Sequence, residues 1–257
     1  MKIATWNVNS LTARWPRVSQ WLEETQTDVV LVQETKQTDA KFPFEGLSAL
    51  GYESAHYGQG QWNGVAIFSR VGLEDVVTGL GEDEEARCIR ATCGGLRVYS
   101  CYVPNGRALD NPHYTYKLGW LADLRDEVAN RDTSAGIVIG GHFNVALSDD
   151  DVYDMEAFVD ATHVSQPERD AMQGLLDTGL VDLARQHTPE GQQFTWWDYR
   201  NGAFRRGWGL RIDYLFADPV TAQRVSHVGV DRVARKGEKP SDHAPVVATL
   251  NLSLIHI

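Results

Sequence analysis

The feature that most constrains this chain is a recurrence of short β-rich runs separated by helical periods. The runs are Lys2–Val8, Val29–Gln33, Gly64–Ser69, Arg87–Thr92, Leu96–Val103, Gly136–Gly140, Ile212–Phe216 and Val246–Leu250. Many are continuously apolar, as expected of strands covered on both faces. Between them, Trp15–Glu24 puts Val18, Trp21 and Leu22 on one stripe, and His113–Ala129 puts Leu118, Leu121, Leu124 and Val128 at helical spacing. Pro167–Leu176 opens on proline with Glu168 in the first turn, a good helix start. No Ser/Gly linker or repeat interrupts the pattern. A single layered α/β domain over residues 1–251 is expected, and these patterns leave the strand order open.

With 42% apolar residues in 257, the chain can bury a core without disulfides. Cys88, Cys93 and Cys101 form an odd set with no CxxC pair and no histidine at zinc spacing, so they read as free thiols among strands. No stretch approaches the roughly 18 apolar residues of a membrane span, and Met1–Trp6 lacks the apolar core of a signal peptide. A cytoplasmic monomer with no membrane partner is the expectation. The net charge of −11 argues weakly against nucleic acid, because a local basic patch or a bound cation overrides a global sum. Residues 252–257, Leu-Ser-Leu-Ile-His-Ile, read as a non-native scar and are set aside, His256 included.

The chemistry is signalled by polar residues placed where apolar runs stop. Asn7 follows Ile-Ala-Thr-Trp, Glu34 follows Val-Val-Leu-Val-Gln, and His142 and Asn144 follow Ile-Val-Ile-Gly-Gly. Asp213 lies inside Leu-Arg-Ile-Asp-Tyr, and Asp242 and His243 open the last strand. Ends of rigid strands are where α/β enzymes assemble sites. Each residue alone reads as a cap or a turn residue; the series reads as a site.

Seven segments carry a resemblance. They are Thr-Trp-Asn-Val-Asn-Ser (5–10), Leu-Val-Gln-Glu-Thr-Lys (31–36), Tyr-Val-Pro-Asn-Gly (102–106), Gly-Gly-His-Phe-Asn-Val-Ala (140–146), Phe-Thr-Trp-Trp-Asp-Tyr-Arg (194–200), Leu-Arg-Ile-Asp-Tyr (210–214) and Ser-Asp-His-Ala-Pro (241–245). In this order they resemble the exonuclease III family of abasic endonucleases, within the endonuclease/exonuclease/phosphatase superfamily. The resemblance implies a four-layer α/β sandwich of the DNase I type, two mixed sheets face to face with helices outside. It also implies a Mg²⁺-dependent DNA repair phosphodiesterase that cuts 5′ to abasic sites in double-stranded DNA and trims 3′ ends.

By resemblance, Glu34 is the main Mg²⁺ ligand, supported by Asn7 and Asp242; oxygen ligands and retained waters suit a hard cation. His243 contacts the scissile phosphate, with Asp213 fixing its ring and favouring the protonated form. Tyr102 donates to a phosphate oxygen and Asn144 positions the attacking water. Asn105, Arg107, Trp196, Leu210, Ile212 and Arg211 belong to the DNA and abasic-sugar pocket, and a nucleotide without a base is cheap to extrude. One of Trp196 and Trp197 reads equally as core. Arg205 and Arg206 read either as phosphate contacts or as a solvated turn, and Lys36 and Lys239 add positive charge nearby.

One position departs from the family. Its motif at 140–146 carries aspartate where this chain has His142, and that aspartate orients or deprotonates the attacking water. Three readings follow. His142 is a substitute base, since a neutral imidazole accepts protons near pH 7. Alternatively the chain is an impaired protein that binds abasic DNA without cutting it. In the third reading His142 joins the metal site and shifts preference toward Mn²⁺. General-base catalysis contributes typically 10²–10⁴-fold, so weak activity rising with pH is expected rather than none. Relatives of the same sandwich that hydrolyse phosphoinositides or sphingomyelin share the Asn, Glu and Ser-Asp-His positions, but the run Phe194–Arg200 followed by Leu210–Asp213 favours DNA.

Overall fold

In the computed structural model, which describes residues 1–251, the apolar runs become the interior of two six-stranded sheets. The strands are β1 (Lys2–Asn7), β2 (Val29–Gln33), β3 (Glu53–Tyr57), β4 (Val65–Ser69), β5 (Glu74–Thr78), β6 (Cys88–Cys93) and β7 (Leu96–Tyr102). They continue with β8 (Gly136–His142), β9 (Val181–Asp182), β10 (Trp196–Trp197), β11 (Gly209–Leu210), β12 (Asp213–Ala217), β13 (Val225–Val230) and β14 (Val246–Leu250). One sheet has the order β13-β14-β1-β2-β4-β3 and the other β5-β6-β7-β8-β12-β9, with β10 and β11 forming a separate ribbon. Both large sheets are mixed: β1 runs parallel to β2 and antiparallel to β14, and β8 runs parallel to β7 and antiparallel to β12.

The sheets face each other through Ile3, Leu31 and Ile67 on one side and Val98, Val138 and Leu215 on the other. The approach is close enough to require glycine in β8: a Cβ on Gly140 would lie 2.5 Å from Leu31 Cδ1. A polar tie crosses the interface near the site, where buried Gln33 donates through Nε2 to Ser100 Oγ at 3.0 Å and Thr5 Oγ1 at 3.1 Å.

Helices cover the outer faces. α1 (Leu11–Thr25) and α2 (Phe44–Ala49) pack Val18, Leu22 and Leu47 against Trp6, Val30 and Phe68. α3 (Pro112–Ala129) and α4 (Gln166–Leu176) pack Trp120, Leu124, Met172 and Leu175 against Tyr99, Ile139 and Phe216. The layering is helix, sheet, sheet, helix, the four-layer sandwich expected. α3 starts because Asn111 accepts from His113 N and Pro112 needs no donor there. α4 starts on a Ser165–Glu168 capping box. α1 begins upstream of the expected Trp15, at Leu11, with Pro16 tolerated inside it.

Every interior strand coincides with an expected run; none of the four edge strands does. β5 is exposed along its whole length, and β3 and β13 alternate or mix burial. An edge strand half in water carries no continuous apolar run. Cys88, Cys93 and Cys101 are buried free thiols. Among the described residues no helix is long and apolar enough to cross a membrane. Residues 252–257, read above as a scar, lie outside the described residues.

Candidate active site

Asn7, Tyr102 and His142 are the last residues of β1, β7 and β8, Asp213 is the first of the antiparallel β12, and Glu34 directly follows β2. These ends lie together, since β1 pairs with β2 and β8 lies between β7 and β12. Asp242 and His243 are brought in by the segment before β14, which is stitched to β1 by Ser241 Oγ donating to the Asn7 carbonyl at 2.7 Å. Glu34, Lys36 and Asn144 all adopt left-handed backbone, with φ of 54°, 53° and 56°. Non-glycine residues held there cost of order 1 kcal/mol or more, and such strain gathers at functional sites.

One half of the site is a network of oxygens. Glu34 Oε1 accepts from Asn7 Nδ2 at 2.8 Å and Oε2 pairs with Lys36 Nζ at 2.8 Å. Lys36 Nζ also donates to Asn9 Oδ1 at 2.6 Å, and Asn9 Nδ2 donates to Asp242 Oδ1 at 2.9 Å. Asp242 Oδ2 accepts from Trp196 Nε1 at 3.0 Å. Burial alone would push the Glu34 carboxyl up; the charge of Lys36, that of His142 whenever its ring is protonated, and the hydrogen bonds from Lys36 and Asn7 override it and hold it at about 2. With Glu34 kept ionised, Asn7, Glu34 and Asp242 form an oxygen donor set of the kind a hard cation takes.

The sign of that shift gives a stability prediction. Glu34 is held below its ordinary 4.5, so its stabilisation is present above about pH 4.5 and lost as pH falls toward 2. Replacing Lys36 by methionine should lower stability by about 1–2 kcal/mol at pH 7, a gap that narrows by pH 3.5 in urea unfolding. A pH-independent gap would trace the loss to packing.

The other half is a shared carboxylate. Asp213 Oδ1 meets His142 Nδ1 at 3.1 Å, and Oδ2 meets His243 Nδ1 at 2.8 Å. Thr195 Oγ1 donates to Oδ2 at 2.5 Å. The two rings stand nearly perpendicular, 4.6 Å between centroids. Asp213 is fully enclosed, and burial would raise its pKa; the two imidazoles override this and hold it well below the carboxylate range. For His243 burial works downward, and the Asp213 charge and hydrogen bond, with Asp242 and Glu34 behind, push its pKa above the ordinary value. With both Nδ1 atoms on Asp213, each ring turns its Nε2 away from that carboxylate. Tyr102 stacks on His142 at 5.7 Å, and burial and the Glu34 charge push its hydroxyl far up, so it stays a neutral donor. His142, Asp213 and His243 also present ligand atoms within 4.8 Å of one another, a nitrogen-rich set that an ion could occupy only by displacing these hydrogen bonds.

A profile of the endonuclease/exonuclease/phosphatase family matches residues 4–243, nearly the whole described chain. The chain belongs to that family. It is similar to exodeoxyribonuclease III of Haemophilus influenzae, 33% identical over 264 residues covering 96% of this chain and 99% of that protein. Among solved structures it is similar to the 3′ phosphatase NExo from Neisseria bound to a product DNA hairpin, with a TM-score of 0.96, 43% identity, and 98% and 100% of the two chains covered. An AP endonuclease from Archaeoglobus fulgidus matches with a TM-score of 0.95 and 38% identity over 98% of this chain and all of that one. The DNase I-like sandwich and the exonuclease III resemblance are thereby established.

Within this family fold the expected DNA-side residues divide. Asn105 and Arg107 are exposed beside the site, and Asn105 Nδ2 donates to Asn144 Oδ1 at 3.2 Å. Trp196 is half-buried, whereas Trp197 is core, under Phe204. Leu210 and Ile212 are buried with Ala146 and Val152, and Met155, Phe158 and Val164 pack against them. Arg211 corrects the sequence reading. It is 2% exposed, its guanidinium held by Asp151 and Asp182 at 2.6 Å each, so it braces the loops from within and cannot reach a phosphate. Arg205, Arg206 and Lys239 are exposed. Segments 198–206 and 232–240 meet at Tyr199, whose hydroxyl donates to the Pro240 carbonyl at 2.7 Å, two residues before Asp242.

Sequence reasoning missed Asn9, which links Lys36 to Asp242, and Thr195, which anchors Asp213 through its hydroxyl and accepts from Asp213 N at 3.2 Å. Both lie inside quoted motifs, but only tertiary contact gives them a role. It also missed Lys117 and Glu168, hidden on helices as apparent surface positions.

Proposed function

We propose that the protein is a divalent-metal-dependent DNA repair phosphoesterase whose main work is at 3′ ends, removing 3′ phosphates and trimming nucleotides. The observation that carries this reading is the pair of imidazoles on Asp213 beside the Glu34–Asp242 oxygen set. A phosphate ester needs both halves: cationic and neutral donors for its oxygens and a group that takes the proton of an in-line water.

His243, whose protonated form Asp213 favours, and Tyr102 offset charge on the phosphate oxygens. His142 is the substitute base. Its Nδ1 proton is given to Asp213, which leaves Nε2 as the lone-pair nitrogen. Asn144 Oδ1 accepts from Asn105 and has a second lone pair with which to hold the water, while its Nδ2 is fixed on the Val103 carbonyl at 2.9 Å. Asn7, Glu34 and Asp242 would hold Mg²⁺ or Mn²⁺, which when bound supplies Lewis-acid stabilisation of the anionic phosphate.

The preference for 3′ ends rests on Leu210 and Ile212. They are 1% and 3% exposed, sealed by Val152 and covered by Met155 and Phe158, leaving little of the apolar wall free for an extruded sugar. Similarity to the Neisseria 3′ phosphatase supports the same choice. Incision at abasic sites is the second reading, favoured by similarity to the archaeal AP endonuclease and by Trp196 at the edge of that wall.

A gel assay on end-labelled duplexes decides among them. With Mg²⁺ or Mn²⁺, a 3′-phosphorylated nick should be processed faster than an internal abasic site, and EDTA should stop both. Faster abasic incision reverses the preference; retarded DNA with no product under either ion means a binding protein. Because the chain is acidic, duplex affinity should depend on the basic segments flanking Asp242. Arg205→Glu with Arg206→Glu should weaken binding roughly tenfold or more and lower the salt slope by about 2. An unchanged slope makes that turn mere solvated surface.

A further inference from the structure

An ion pair that touches no reacting group lies buried under the water-holding loop. Lys117 of α3 and Glu168 of α4 are joined Nζ to Oε1 with both side chains at 0% exposure. Lys117 Nζ also donates to the backbone carbonyl of Asn144 at 2.6 Å. Glu168 gathers the segment opposite: Oε1 accepts from Thr162 Oγ1 at 2.6 Å and His163 N at 3.0 Å, and Oε2 from Ser165 N at 3.1 Å and Ser165 Oγ at 2.7 Å. His163 returns to the same Asn144 carbonyl, its Nδ1 donating at 2.5 Å.

Stability alone is a poor account of this pair. Taking two charges out of water typically cancels their attraction, and apolar residues of similar volume would join α3 to α4 as well. Burial lowers the Lys117 ammonium to about 8 despite Glu168 alongside. What the pair does achieve is geometric. Asn144 sits in left-handed backbone at φ 56°, a conformation asparagine adopts more readily than other side-chain-bearing residues, and two donors, Lys117 Nζ and His163 Nδ1, converge on its carbonyl and fix that peptide. With that peptide pinned, the Asn144 side chain is directed onto the Val103 carbonyl and Asn105 Nδ2.

We propose that Lys117 and Glu168 form a positioning device for Asn144, fixing where the attacking water is held. This rests on the reading of Asn144 given under Proposed function. The pair acts through another residue, so its removal should alter turnover without altering substrate binding, and should matter only while Asn144 is present.

The test is a cycle between Lys117→Met/Glu168→Gln and Asn144→Ala, read as kcat and KM on a 3′-phosphorylated duplex. In the parent, the paired substitution should lower kcat roughly a hundredfold and leave KM within about twofold. In the Asn144→Ala background the same substitution should cost less than about threefold further. A loss of full size in both backgrounds overturns the proposal. Glu168→Gln alone, which keeps the shape and one of the two acceptor oxygens, takes the same cycle where the double variant melts below assay temperature, with an expected loss of about tenfold. An activity-independent reading comes from asparagine ¹⁵N labelling. The Asn144 side-chain amide, assigned by its absence in Asn144→Ala, should shift or broaden in either variant, and an unmoved signal overturns the proposal. If the parent and a His142→Asp form both fail to cut DNA, the functional reading falls, while the amide signal still decides whether the pair positions Asn144.

Discussion

Replacing His142 by alanine is expected to lower kcat by roughly 10²–10⁴-fold, the usual contribution of a general base, with little change in KM. The expectation follows from its tether: Nδ1 lies on Asp213 Oδ1 at 3.1 Å, so the ring has a fixed tautomer and a directed Nε2. His142→Asp distinguishes this from the competing account. If imidazole is the base, the aspartate form should stay within about tenfold of the parent and its pH–rate profile should differ on the acid side. If the chain is impaired, alanine will cost nothing and aspartate will raise the rate. The aspartate form should also be less stable without metal, because it loses a hydrogen bond to Asp213 and brings like charge toward both Asp213 and Glu34.

Asp213→Asn is expected to be more damaging, with kcat falling by about 10⁴-fold, the scale seen when the carboxylate behind a catalytic histidine becomes an amide. Here one carboxylate orients two rings and accepts from Thr195 as well. An amide offers a single acceptor, so one histidine must flip its tautomer or lose its partner. His243 also loses the charge that raises its pKa. A thermal melt should fall by roughly 5–10 °C, since two or more kcal/mol of buried hydrogen bonding is lost in a domain of this size. Combined with His142→Ala, the two rate losses should fall well short of additive, because they remove parts of one unit. Additive losses would mean that Asp213 and His142 act separately.

How much of this was legible beforehand depended on burial. The interior strands announce themselves because both faces are covered, and the site residues at their ends, Asn7, Glu34, His142 and Asp213, were visible as polar stops to apolar runs. Edge strands such as β5, Glu-Asp-Val-Val-Thr with every residue exposed, carry no such signal. Side-chain partnership was illegible for a different reason. Asn9, Thr195 and Lys117 gain their roles from contacts across 233, 18 and 51 positions of chain, which no local period encodes. Arg211 shows the converse error: a basic residue inside a DNA-related motif turned out to serve Asp151 and Asp182 in the interior.

The most direct measurement is a crystal structure of the protein with a 3′-phosphorylated duplex and Mn²⁺, with the ion placed by its anomalous signal. The ion should lie on Glu34 and Asp242, with a water opposite the leaving oxygen and within hydrogen-bond reach of His142 Nε2 and Asn144 Oδ1. An ion seated instead among His142, Asp213 and His243, with the phosphate elsewhere, would contradict it.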